Sequence, residues 1–261
     1  SVKTILCNAE GDILYSTSEE NELYSRQPGW AEEEANQWWK NVKKTIGDCI
    51  DEFNIKGEEI EAIGVTGMVP ALVLLDKNGE VIRRSIQQND ARTVSEIESL
   101  KQTLDEDEFF ELTGGSINQQ LIGPKIMWLK ENEPDAYERI DKILGSYDFI
   151  NFKLTGNLTV EHNWALESGL LNIESKEWIL DVLEICQLDS EWLPPVVSSD
   201  EVIGRVNSQV AKETGLAEGT PVVGGIADHV SSAFAAGLKE EGDLNIKIVV
   251  RETFSILWIN S

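Results

Sequence analysis

The spacing of apolar residues changes several times along the chain, and each change marks an element. The apolar runs in "VKTILCN" and "DILYSTS" flank Ala9-Glu10-Gly11-Asp12 and predict a β-hairpin. Past the Pro28-Gly29 breaker, Trp38 or Trp39, Val42, Ile46, Cys49 or Ile50, and Phe53 recur every three to four residues. That spacing lines one face of an amphipathic helix. Glu32, Glu33 and Glu34 are expected in its first turn, where the helix dipole favours acids. "IEAIGVTGM" and "PALVLLD" then read as short strands, and Lys77-Asn78-Gly79 as a turn before a strand in "EVIRRSI". A buried strand following a helix predicts a mixed α/β sheet with a parallel component.

From about Ala91 to Ser190 the period is helical. "ARTVSEIESLKQTL", "IGPKIMWLKENEPDAYERI" and "SKEWILDVLEICQL" each show it, and "DKILGSYDFINFKLTG" reads as a short strand and a helix stopped by Gly156. Leu193-Pro194-Pro195 ends this block. Ser208 to Gly215 predicts another helix and Gly219 to Gly225 a strand. No repeat and no Gly/Ser linker divides the chain, so residues 1–261 are read as one large domain.

Charge changes this picture by exclusion. With 47 acidic and 22 basic residues the net charge is −25, a field that repels nucleic acid. No apolar run approaches the ~20 residues that span a bilayer, and no basic-plus-apolar leader opens the chain, so a cytoplasmic location is expected. Cys7, Cys49 and Cys186 are isolated in apolar patterns and read as reduced core residues. No metal-ligand spacing occurs, and His162 and His229 lie far apart in sequence.

The stretch "GGIADHVSSAFAAGL" is where candidate chemistry concentrates. Asp228 and His229 follow a Gly-rich strand end and open a helix of small residues, the place where open α/β sheets bind ligands. Asp228 has two readings here, a helix N-cap and a catalytic base.

Several stretches together resemble the N-terminal domain of the FGGY carbohydrate kinases, the group that includes xylulokinase, gluconokinase and glycerol kinase. They are "QPGWAEEEANQWW", "IEAIGVTGMVPALVLLDKNGEVI", "NDART", "PKIMWLKENEPDAYERIDKIL", "DFINFKLTG", "LPPVV…VIGRV", "TGLAEGTPVVGGIADHVSSAFAAGL" and "EEGD", in family order over nearly the whole chain. The resemblance implies a ribonuclease-H-like fold of the actin and Hsp70 type, a mixed sheet with flanking helices. It implies transfer of the ATP γ-phosphate, with Mg²⁺, to a hydroxyl of a small sugar or polyol. The Asp of its Gly-Gly-x-x-Asp stretch, Asp228 here, becomes the base that takes the hydroxyl proton.

The same resemblance points to three sugar-lining stretches: Met68-Val69-Pro70, Gln88 with Asp90, and the loop containing Gln120, with His229 beside the base. Each departs from relatives. Xylulokinases usually carry Gln-Met-His where Gly67-Met68-Val69 stands, and many relatives carry Trp where Gln88 stands. Arg92 is read either as a partner bracing Asp90 or as a contact, and His162 as a packed structural residue. A neutral sugar fits the acidic chain better than a phosphorylated one, and a homodimer is one assembly left open. The family's opening strand with its Asp-x-Gly-Thr loop, and its ATP-side domain, are not found, and no GxxxxGK[ST] loop replaces them. The chain alone is therefore expected to be inactive. The alternative is a non-catalytic sugar-binding or regulatory module on the same fold.

Overall fold

The computed structural model describes residues 1–238 and 255–259. β1 (Val2–Asn8) and β2 (Ile13–Glu19) form the expected hairpin, in antiparallel register from Val2↔Glu19 to Leu6↔Tyr15. Two short strands, β3 (Leu23–Tyr24) and β4 (Glu32–Glu33), precede α1 (Ala35–Phe53). The buried face of α1 is Trp38, Val42, Ile46, Cys49 and Ile50, while Trp39 is half-buried and Phe53 exposed. Trp38 takes the inner place because its indole has a polar partner and an aromatic one. Its N–H donates to Glu33 Oε2 at 2.7 Å, and its ring meets Phe149 edge-on at 6.5 Å.

The acids before α1 do not enter its first turn. Glu32 is buried and bonds Arg83 and Arg92, and Glu32 and Glu33 pair as β4 with β3 and with β7 (Ser85–Ile86). Two charge-assisted guanidinium bonds outweigh a dipole contribution of about 0.3–1 kcal/mol. β5 (Ile60–Gly67) and β6 (Val73–Leu75) follow their apolar runs. The strand expected over "EVIRRSI" shrinks to β7 and one bridge, Leu75↔Val81, because Arg83 and Arg84 between them turn to Glu32, Glu133 and Glu34.

The helical block holds α2 (Val94–Thr103), α3 (Glu106–Thr113), α4 (Ile122–Asn132), α5 (Pro134–Tyr137), α6 (Ser146–Thr155), α7 (His162–Glu167) and α8 (Leu180–Ile185). Short strands β8 (Lys142–Leu144) and β9 (Val160–Glu161) interrupt it. The single helix suggested by "IGPKIMWLKENEPDAYERI" divides where Pro134, which lacks an N–H, starts α5 instead of continuing α4. Gly156 ends α6 with φ +83°, a left-handed conformation that glycine adopts without strain. The chain closes with β10 (Val196–Val197), β11 (Val202–Arg205), α9 (Ser208–Thr214), β12 (Pro221–Val223), β13 (Ile226–Ala227), α10 (Asp228–Ala235) and β14 (Ser255–Ile259).

The main sheet is mixed, in the order β11-β12-β5-β14-β1-β2, with β13 also pairing β5. β12 and β13 run parallel to β5, and β14 runs parallel to β1 but antiparallel to β5. β14 thus occupies the central place between β1 and β5. The glycine-free stretch from Ile246 to Thr253, where the resemblance leads one to expect a Gly-rich phosphate loop, lies outside the described residues. α1 packs on β1 and β2, α6 packs on β5, β11 and β12, and the two helices touch each other. One hydrophobic core runs through these layers and on into α4, α7 and α8. A buried hydroxyl pair, Thr4 with Thr45 at 2.7 Å, fixes α1 to β1. Cys7, Cys49 and Cys186 are buried free thiols, as read from sequence, and burial pushes the Cys49 and Cys186 thiols up to about 12.

Candidate active site

The site begins with two glycines. Gly224 crosses against the backbone of Ser198, and Gly225, at φ +86°, crosses against the carbonyl of Val65 in β5. A Cβ at either position would run into those carbonyl oxygens, and φ at Gly225 is closed to most side chains. The pair is pinned from three sides. Gly224 N donates to Glu201 O at 2.9 Å, Gly225 N to Ser199 O at 3.1 Å, and Asn151 Nδ2 donates to Gly224 O at 2.8 Å. The crossing lets β13 pair with the end of β5, Ala227 opposite Gly67. Met68 and Asp228 therefore leave neighbouring parallel strands at the same edge, the position where α/β sheets bind ligands.

Asp228 is the first residue of α10, and Ala227 holds the cap position with no side-chain cap bond. The N-cap alternative weighed from sequence is not realised. The Asp228 carboxylate lies 3.8 Å from His229 Nδ1 and its side chain is 24% exposed. His229 is 47% exposed and places Nε2 3.6 Å from Glu167 of α7. Glu167 also lines a cleft of about 620 Å³ with Ser116, Asn118 and Gln120. Asp228, His229, Glu167 and the Gln120 loop thus form one continuous rim.

The other expected residues connect to this rim through the backbone. Leu72 and Ile86 exchange N–H···O bonds of 2.9 and 3.2 Å, which sets the turn after Pro70 beside the strand leading to Gln88. Gln88 is half-buried at this position. Met68 and Gln87 line a second cleft, of about 530 Å³, with Ser146 and Tyr147. Val69 is only 2% exposed and packs into the core, and Pro70 is buried, so Met68 is the side chain this turn gives to a cleft.

Asp90 is spent on structure. One carboxylate oxygen accepts from Arg92 N and Nε, and the other from Ala31 N and Arg92 Nη2, at 2.6–3.0 Å. Burial alone would raise its pKa, but the Arg92 bonds and the Ala31 amide outweigh it and hold the carboxyl below its ordinary value. Arg92 itself lies against the rings of Trp30 and Trp128, 3.9 and 4.7 Å from their centroids, and the two rings meet each other edge-on. Asp90 and Arg92 therefore form the brace that stood beside the contact reading in sequence.

Three supporting groups escaped the sequence reading. Trp164 Nε1 donates to Ala71 O at 3.0 Å. Glu161, fully buried, accepts from Tyr147 Oη, Ser199 Oγ and the Asn163 amides, and so anchors the loop that holds Gly225. Lys125 is a buried amine on α4. Its signal was present in "IGPKIMWL", where a lysine falls on the apolar face shared by Ile122 and Leu129. His162 keeps Nε2 buried and without a partner among the described residues. No cluster of three or more His, Cys, Asp or Glu side chains able to hold a metal occurs among the described residues.

These features define a mixed α/β domain with a carboxylate at a strand edge, and comparison with known proteins gives its family. Residues 1–235 match the FGGY family of carbohydrate kinases, N-terminal domain. The chain belongs to that family, and its mixed sheet with flanking helices is the family's ribonuclease-H-like fold. It is 30% identical to the xylulose kinase of Bacillus subtilis over 93% of the chain and 48% of that protein. It is 34% identical to the L-xylulose/3-keto-L-gulonate kinase of Escherichia coli over 85% of the chain and 45% of that protein. The crystal structure of xylulose kinase from Rhodospirillum rubrum superposes with a TM-score of 0.84 at 38% identity, over 88% of the chain and 47% of that structure. The chain spans about half the length of the relatives it matches. No helix among the described residues is long and apolar enough to cross a membrane.

Proposed function

We propose that this domain is the sugar-binding and catalytic-base half of a xylulokinase-like kinase, which transfers the ATP γ-phosphate to a hydroxyl of a small neutral sugar in the cytoplasm. What supports the base role is a carboxylate that, among the described residues, has His229 at 3.8 Å as its nearest basic neighbour. Asp228 sits at the shared edge of β5 and β13, makes no cap bond, and is partly open to solvent.

A sugar hydroxyl is a poor nucleophile at neutral pH. A carboxylate within hydrogen-bond reach accepts its proton as the bond to phosphorus forms. Asp228 Oδ takes that proton, His229 and Glu167 border it, and the Gln88 and Gln120 amides donate to and accept from other hydroxyls. When bound, ATP would supply the phosphoryl group and Mg²⁺ would offset its charge. The part assigned to this chain is confined to binding the sugar and holding its proton.

The test is calorimetric titration of the 261-residue chain with D-xylulose, L-xylulose, gluconate and glycerol. Saturable heat with a pentulose is the expected result. No heat with any of the four defeats the sugar-site reading.

A further inference from the structure

Turn 68–71 offers its carbonyls to side chains from three helices. Ser146 of α6 donates to Met68 O at 3.0 Å, Lys125 of α4 to Pro70 O at 3.4 Å, and Trp164 of α7 to Ala71 O at 3.0 Å. Lys125 differs from the other two because Nζ also donates to Gln120 O, at 2.8 Å, in the second expected sugar stretch. Its side chain is 0% exposed, and its bonds go to carbonyls, not to a carboxylate.

A buried lysine is a costly way to fill a core, because charge loses hydration without a counter-charge. A methionine on the same face of α4 would pack without that cost. Burial pushes the amine down to about 7, with the Asp90 charge opposing the shift and the Arg92 charge adding to it. Even without its extra proton, an amine keeps two N–H groups, as many as the two carbonyls it serves. Its chemistry suits bridging two loops and does not suit stabilising a core.

We propose that Lys125 is the positioning residue of the sugar pocket, stapling turn 68–71 to the Gln120 loop so that both face one substrate. The proposal rests on the sugar-site reading of those two stretches.

The variant that tests it is Lys125→Met, in the 261-residue chain, with three measurements. Urea unfolding is expected to show equal or greater stability. Hydrogen exchange at the Gln120 and Leu121 amides is expected to quicken about tenfold, since losing a hydrogen bond to a charged group is worth roughly that factor. Affinity for D-xylulose or L-xylulose is expected to fall about three- to tenfold. Trp164→Phe, which removes the Ala71 bond but leaves the loop bridge, should not alter exchange at Gln120. Should Lys125→Met fail to fold, Lys125→Gln carries the same readouts.

Unchanged exchange at Gln120 and Leu121 in a folded variant overturns the proposal. So does a general loss of stability with exchange faster everywhere in proportion, because that is a merely structural lysine. A wild type that binds none of the sugars defeats the sugar reading, and loop exchange then still decides the staple.

Discussion

Two charged regions lie in the stretches that carry the family resemblance, and they are built in opposite ways. In one, the floor built around Arg92, both Glu32 and Asp90 are buried and each is bonded to Arg92, which lies against two tryptophan rings. At the rim, Asp228, His229 and Glu167 are separated by 3.6–3.8 Å and are a quarter to a half exposed. A carboxylate with four donors has no capacity left for a substrate. One that makes no cap bond and is partly open to solvent has. The same residue type thus serves shape in one region and chemistry in the other, and partner count separates the two.

The rim predicts the largest effect. In an active kinase that contains this domain, Asp228→Asn is expected to cut turnover by ~10²–10⁴, because the amide cannot accept the hydroxyl proton. Stability should change only by the dipole contribution of an acid in the first turn, about 0.3–1 kcal/mol. Steady-state kinetics and a urea melt on the same preparation measure both. Near-normal turnover removes Asp228 from the chemistry.

The floor predicts the reverse. Arg92→Met leaves Asp90 and Glu32 buried with too few donors, and breaking a buried pair in this way costs about 3–5 kcal/mol. The loss is read from the urea midpoint. A variant as stable as wild type would mean that the cluster is solvated in solution, and the contrast with the rim would fall.

Lys125 lies between the two regions and gives the comparison a pH axis. Its amine is pushed from its ordinary 10.5 down to about 7 in the folded chain. Between those values the unfolded chain carries the proton and the folded one does not, so stability rises with pH there. The slope is at most about 1.4 kcal/mol per pH unit. Below about 7 both states are protonated and the slope vanishes. Comparing wild type with Lys125→Met from pH 6 to 9.5 cancels the other titrations, and a difference flat over that range would contradict the assignment.

Much of the frame was legible because it follows from period and punctuation. The hairpin around Gly11, the face of α1, the stop at Gly156 and the strand before Gly225 all reappear. What was not legible depended on partners distant in sequence. Glu32 joins Arg92, 60 residues on, and so leaves the helix dipole that local reasoning offered it. Trp164 reaches Ala71 across 93 residues, and Lys125 reaches Pro70 across 55. At Asp228 the position was legible, an acid three residues after two glycines, and the structure sets it at the shared edge of β5 and β13. Asp90 was not decidable, because a carboxylate two residues from an arginine pairs with it or faces a ligand depending on burial.

The smallest expected effect concerns the two amides proposed to bind the sugar, Gln88 and Gln120. Gln120 has both backbone groups engaged, its N–H on Asn118 Oδ1 at 2.8 Å and its carbonyl on Lys125. Gln120→Leu therefore keeps the path of the loop and removes only the side-chain amide. Gln88 follows Gln87, whose buried amide bonds Ser85 and fixes the strand end, so Gln88→Leu is equally local. One neutral hydrogen bond is worth about 0.5–1.5 kcal/mol, so each variant should weaken pentulose binding by roughly two- to tenfold. Calorimetry on the singles and the double variant makes the measurement. Losses that multiply mean the amides meet separate hydroxyls, and a double variant no weaker than one single means they share one. Wild-type affinity in both singles would move the pocket away from Gln88 and Gln120, toward the cleft beside Met68.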